Sequence, residues 1–136
     1  KYHCIHVRRG DKLKWKQCPG LEKATQPKKL KSFLLKNVPE GENLYIMTNE
    51  SKVGYFDLLK NYYSVFTYNL FPEYILLEKE DNYFLFMIET EIMKRATIKI
   101  KTFEEVGYLS LLNYGPNGKD LLINKIRRKI RRLLKD

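Results

Sequence analysis

The string His6-Val7-Arg8-Arg9-Gly10-Asp11-Lys12 gathers four charged side chains and an imidazole into seven residues. It closes a β-prone run, Tyr2 to Val7, and Gly10-Asp11 signals a loop, so the charges collect where a strand ends. A guanidinium presents a planar fork that holds two phosphate oxygens together, which a lysine cannot do. The string therefore reads as an anion trap. In an extended chain His6 and Arg8 point to one side and Arg9 to the other. One arginine is then free for a ligand while its neighbour is held by Asp11 or another carboxylate. A surface charge cluster with a local Arg–Asp pair has the same spacing, and from spacing alone it is the favoured reading, because short motifs arise often by chance.

The elements that must position these groups alternate between strand and helix. Thr25 followed by Pro27 predicts a helix start, Leu30, Phe33, Leu34 and Val38 recur at helical spacing, and Pro39 and Gly41 end the run. Leu44 to Met47 is continuously apolar, as in a strand covered on both faces. A helix is expected after Ser51, carrying Tyr55, Phe56, Leu58, Leu59 and Tyr62, then a third strand over Val65 to Tyr68. Asp81 is expected to cap a helix running to Arg95, with Phe84, Leu85, Ile88, Ile92 and Met93 inward. Ile98 and Ile100 alternate with lysines in a fourth strand that ends at Thr102-Phe103, and a further helix is expected between Glu105 and Asn113. This order predicts an α/β fold, a Rossmann-like parallel sheet with helices on both faces. Ligands in such sheets sit beyond the carboxyl ends of the strands, where the arginines lie.

The chain has 136 residues, enough for one domain, and a net charge of +10. From Lys119 onward eight basic residues face two acidic ones, so +6 of that charge belongs to the last 18 residues. The chain divides into a body, 1–118, and a basic amphipathic C-terminal helix, 119–136, in which Ile123, Ile126, Ile130 and Leu133 recur at spacings of three and four. That helix is expected to pack one face on the sheet; nucleic acid and an anionic membrane are the alternative partners for its basic side. Cys4 and Cys18 permit one disulfide or none. His3 and His6 share a strand with Cys4, which disfavours a zinc site. Trp15, among Lys12, Lys14 and Lys16, could stack on a base or sugar. Asn49-Glu50-Ser51 spells a glycosylation sequon, expected to be unused because it lies where a ligand would approach. The start at Lys1, directly before a strand, suggests a piece of a longer chain.

Taken together, His6-Val7-Arg8-Arg9-Gly10-Asp11-Lys12 resembles the HxRRxDK signature of the fucosyltransferase superfamily. Tyr45 to Glu50 is similar to that superfamily's second conserved strand with its acidic exit, and Ala96 to Phe103 to its third. Tyr55-Phe56-Asp57-Leu58-Leu59-Lys60 resembles a segment of plant O-fucosyltransferase-like proteins, the group the pattern matches best. The resemblance spans residues 3–105.

The resemblance implies the C-terminal, donor-binding half of a two-domain GT-B glycosyltransferase, using GDP-fucose as donor and transferring fucose with inversion to a hydroxyl of a protein or glycan acceptor. It implies that Arg8 contacts the β-phosphate and serves catalysis, that His6, Thr102 and Phe103 line the donor site, and that Asp81 contacts guanine. Arg9 and Asp11 would be structural support. No metal or other cofactor is implied, since an arginine would stabilise the departing diphosphate. The family's N-terminal domain, which reads the acceptor, would be a partner outside this chain, as would a membrane anchor holding the enzyme in the Golgi or endoplasmic reticulum. Without that domain the fragment is expected to be inactive. The alternative function is a non-catalytic basic module that binds nucleic acid or anionic membrane through its C-terminal helix. Glu104-Glu105 follow Thr102-Phe103, where several relatives place small hydroxyl residues. Carboxylates there repel a diphosphate, so they must turn away or weaken the pocket.

Overall fold

A computed structural model describes residues 1–116 and 121–135. The boundary expected after residue 118, and a helix start at Lys119, lie outside these residues. Five strands, β1 (His3–Val7), β2 (Asn43–Thr48), β3 (Ser64–Phe66), β4 (Lys99–Lys101) and β5 (Leu109–Ser110), form one sheet in the order β3-β2-β1-β4-β5. Every pairing is parallel. The fold is thus the α/β, Rossmann-like parallel sheet that the alternating pattern predicts. After β3 the chain returns to the far side of β1, so β1 and β4 flank the point where the strand order reverses. A parallel sheet of this kind opens a crevice there, above the carboxyl ends of its strands.

Alternation along the central strands sends side chains into two cores. Ile5, Val7, Leu44, Ile46 and Ile100 pack with Leu30 and Leu34 of helix α2 (Pro27–Asn37) and with Phe56, Leu59 and Tyr63. Cys4, Tyr45 and Met47 pack on the other face with Met93 and Ala96, at the end of helix α4 (Asn82–Arg95). Pro27 occupies the first turn of α2, where its missing N–H costs no helical bond. Asp81 caps α4 as expected, its carboxylate accepting the Phe84 N–H at 3.0 Å. His3 secures the opposite end of β1. It is buried, accepts the Ile98 N–H on Nδ1 and bonds the Glu42 carboxylate through Nε2, which holds Glu42 below the usual carboxylate range.

Several elements differ from the sequence expectation. Residues 51–62 form turns and a 3₁₀ helix, Asp57–Asn61, instead of an α-helix. Phe56, Leu59 and Tyr63 lie at spacings of three and four, and one tight turn suffices to bury them. Two helices cross between β3 and β4, because α3 (Pro72–Glu80) precedes α4. Between Glu105 and Asn113 lies β5, only two residues long, in place of a helix. Phe84 is exposed, as are its neighbours Tyr83, Phe86 and Met87, while Leu85 and Met93 carry the buried face. From Ile126 onward the C-terminal helix α5 (Leu121–Lys135) lays no apolar face on the sheet, since Ile126, Ile130, Leu133 and Leu134 are all exposed; the side chain of Ile123 lies outside the described residues. Cys4 and Cys18 are buried free thiols, and Cys18 donates to the Pro116 carbonyl at 2.9 Å.

Candidate functional site

The exit of β1 is clamped from both sides by threonine hydroxyls. Thr48, ending β2, donates to the Val7 carbonyl at 2.7 Å. Thr102, just past β4, donates to the His6 carbonyl at 2.5 Å and accepts the Arg8 N–H at 2.7 Å. The first bond pins the last residue pair of β1 and β2, the others tie β1 to the residue after β4, and together they fix the backbone from which Arg8 and Arg9 diverge. Beyond the clamp, the Asn49 amide accepts the Arg9 N–H at 2.6 Å and donates to the Arg9 carbonyl at 3.0 Å. Gly10 follows with φ +62°, and a Cβ there would sit 2.8 Å from the Asn49 amide nitrogen, so a side chain would strain the backbone and push Asn49 out of place. The sequon asparagine thus completes the loop. Replacing Thr102 by valine keeps the shape but strands the Arg8 N–H and the His6 carbonyl. Urea denaturation should then show a loss of about 1–3 kcal/mol, with Thr102→Ser close to wild type. A valine variant as stable as wild type would rule the clamp out.

The two arginines have opposite fates, on the opposite faces that alternation requires. Arg9, with a side chain only 7% exposed, donates to the Thr25 hydroxyl at 2.6 Å and to the Glu50 carboxylate at 3.4 Å. Its guanidinium carbon lies 4.5 Å from the centre of the Tyr55 ring. Arg8 is 33% exposed and holds Asp11, itself 62% exposed, at 3.0 Å through one nitrogen. Exposed pairs of this kind are worth about 0–1 kcal/mol, so an anion can displace Asp11. Among the described residues, Arg8 Nε is the one buried side-chain polar atom with no hydrogen-bond partner. The fork is therefore incompletely used. Asp11 supports Arg8, and Glu50 rather than Asp11 is the carboxylate that holds Arg9.

His6 shares Arg8's side of β1. Burial, together with the positive charges of Arg8 and Lys101, lowers its pKa to about 4, so it is neutral at pH 7. Arg8, whose own pair is weak, can attract an anion at the same place, while Lys101 is taken up by Glu105. Each carboxylate after Phe103 has a cation beside it: Glu105 binds Lys101 at 2.5 Å, and Glu104 lies 3.9 Å from Arg127 of α5. His6, Arg8 and Thr102 are thus joined at one place through backbone and hydroxyl. Phe103 instead turns its ring toward Tyr114, 6.2 Å away between centroids. The Asp81 carboxylate serves as the cap of α4, and among the described residues no hydrogen bond or ion pair links it to His6, Arg8 or Thr102. Trp15 is partly exposed under the Lys12 ammonium, 3.3 Å from the ring centre, beside a shallow open cleft of about 660 Å³.

The site also uses residues that the sequence did not single out: Thr25, Thr48, and Glu50 as a partner of Arg9. Thr48 and Glu50 are signalled only by their place at the exit of an apolar strand. Thr25 bonds its own helix through Leu21 and Arg9 from another element, and no spacing announces that. Fold and site together define a Rossmann-like α/β domain with a cationic cluster at its switch point. Comparison with protein-family models, curated proteins and solved structures finds no match for this chain.

Proposed function

We propose that the chain is the donor-binding half of a GDP-fucose-dependent, O-fucosyltransferase-like glycosyltransferase, acting by inverting transfer to a hydroxyl of a protein or glycan acceptor. The observation that carries this reading is the state of Arg8: at the β1 exit, beside the switch point, weakly paired to an exposed carboxylate and with Nε unpartnered. A diphosphate displacing Asp11 would receive a charge-assisted fork where neutral His6 and the Thr102 hydroxyl already lie. As the glycosidic bond to the donor phosphate breaks, negative charge grows on the leaving diphosphate. A fixed guanidinium stabilises that charge more in the transition state than in the ground state. Lys101 beside Glu105 and Arg127 beside Glu104 offset part of the repulsion that these carboxylates would otherwise bring. The acceptor and any catalytic base belong to an N-terminal domain, so the chain alone binds donor without turnover. Asp81 and Phe103 remain part of the proposal through the resemblance only, as guanine and donor contacts.

Calorimetry tests this directly. GDP should bind, GMP more weakly because it lacks the β-phosphate, and Arg8→Ala should lower GDP affinity by about 10- to 100-fold, the loss of charge-assisted bonds. The stability of that variant should stay within about 0.5 kcal/mol of wild type, since only a surface pair is removed. Unchanged GDP affinity in Arg8→Ala would end the assignment of Arg8, and absence of GDP binding by wild type would end the donor reading.

A further inference from the structure

The feature that the donor site leaves unused is helix α5. Seven Lys or Arg and no Asp or Glu lie between Leu121 and Lys135. In helical projection Ile126, Ile130, Leu133 and Leu134 share roughly one third of the circumference, and Arg127, Arg128, Lys129, Arg131, Arg132 and Lys135 fill the rest. The stripe is open to solvent: these four apolar side chains are between 50% and 82% exposed. The ion pair from Arg127 to Glu104 ties the helix to the body while leaving that stripe uncovered.

We propose that α5 is a membrane-docking helix that lies flat in the interface of an anionic lipid bilayer. A partner must offer two things at once: negative charge for an uninterrupted set of cations, and an apolar phase for Ile126, Ile130, Leu133 and Leu134. A nucleic acid supplies the first and leaves the stripe in water. An anionic bilayer supplies both, with headgroups level with the cations and acyl chains beneath them. Arg127 and Lys129 border the stripe on its two sides. The long stem of Lys129 can run along the acyl boundary while its charge stays at the headgroups, and Arg127 stays tied to Glu104. This role does not rest on the donor reading, and its test leaves Arg127, which pairs with Glu104 beside that site, in place.

Sedimentation of the full chain with lipid vesicles decides the matter. The chain should pellet with vesicles of phosphatidylcholine containing about one-third phosphatidylserine and stay in solution with phosphatidylcholine alone. The double variant Ile126→Asp/Ile130→Asp should lose at least about tenfold in vesicle affinity, because both changes fall on the stripe. Its GDP affinity should equal wild type, as should its thermal unfolding, since no core residue is altered. Three results would overturn the proposal: no binding to the anionic vesicles, binding that survives the double substitution, or tighter binding of a single-stranded oligonucleotide than of vesicles at the same salt. The last would return the helix to a nucleic-acid role.

Discussion

Replacing Arg9 by alanine lowers the stability of the chain by about 3–5 kcal/mol, a large share of the roughly 5–15 kcal/mol that holds a domain of this size together. The guanidinium is the hub of the β1 exit. It joins the strand to the short helix α1 (Leu21–Ala24) through Thr25 and the Glu22 carbonyl, and to the β2 exit through Glu50. Tyr55 covers one face and donates its hydroxyl to the Thr25 carbonyl at 2.7 Å. Alanine would leave the Glu50 carboxylate, only 14% exposed, without its counter-charge, and would open a cavity under Tyr55. The cost of a lone buried charge exceeds what the pair itself contributes, which is why truncating one partner is severe. Urea denaturation of Arg9→Ala beside Arg8→Ala reads the contrast: a large fall in midpoint for the first and almost none for the second. If the two variants unfold together, Arg9 is not the structural member of the pair.

Replacing Glu89 by glutamine changes the shape of the stability profile with pH. Glu89 lies in α4, almost fully buried, and accepts the Tyr45 hydroxyl at 2.8 Å. Burial raises its pKa to about 7, against which the Tyr45 bond works. The same burial, with Glu89 close by, lifts Tyr45 above the usual phenol range and pushes the Cys4 thiol up to about 12. Between pH 4.5 and 7 the folded chain holds the Glu89 proton more tightly than the unfolded chain, so this group's stabilisation is full below pH 4.5 and is lost as pH rises. His6 acts in the opposite direction. Its lowered pKa means that the unfolded chain binds the proton first, so stability is lost as pH falls from 6.5 to 4.

In wild type the two slopes nearly cancel over the window they share. Glutamine keeps the acceptor for Tyr45 and removes the titration, so the variant should show the His6 limb alone. Its stability should rise by about 2–3 kcal/mol from pH 4 to 6.5, where wild type is nearly flat. At pH 8 it should exceed wild type by a similar amount, because no buried carboxylate then has to ionise. Denaturant unfolding at several pH values measures both, and parallel profiles for the two proteins would show that Glu89 does not titrate as its surroundings dictate.

Much of the scaffold was legible because its signals are local. The unbroken apolar run at Leu44 to Met47 marks a strand buried on both faces, and Pro27 and Asp81 mark helix starts through their own backbone chemistry. The motif at the β1 exit was legible as well, since alternation alone sends Arg8 and Arg9 to opposite faces. Other segments carried no comparable signal. A two-residue strand such as β5 has no period to detect, and it exists only because β4 offers it an edge. The cluster of Phe56, Leu59 and Tyr63 has helical spacing, yet packing on the sheet buries it with a single tight turn. The stripe of α5 has the period of a packed helix, and nothing in the period says whether a surface is there to receive it.

The sequence by itself determined the first four strands, helices α2 and α4, and the divergence of the two arginines, because sterics and side-chain alternation act over a few residues. Tertiary structure decided which arginine is locked and which is open. Glu50 and Thr25 are 41 and 16 residues from Arg9, and only the folding of the sheet brings them to it. Charges choose partners by distance through space, and that distance is not written in their spacing along the chain.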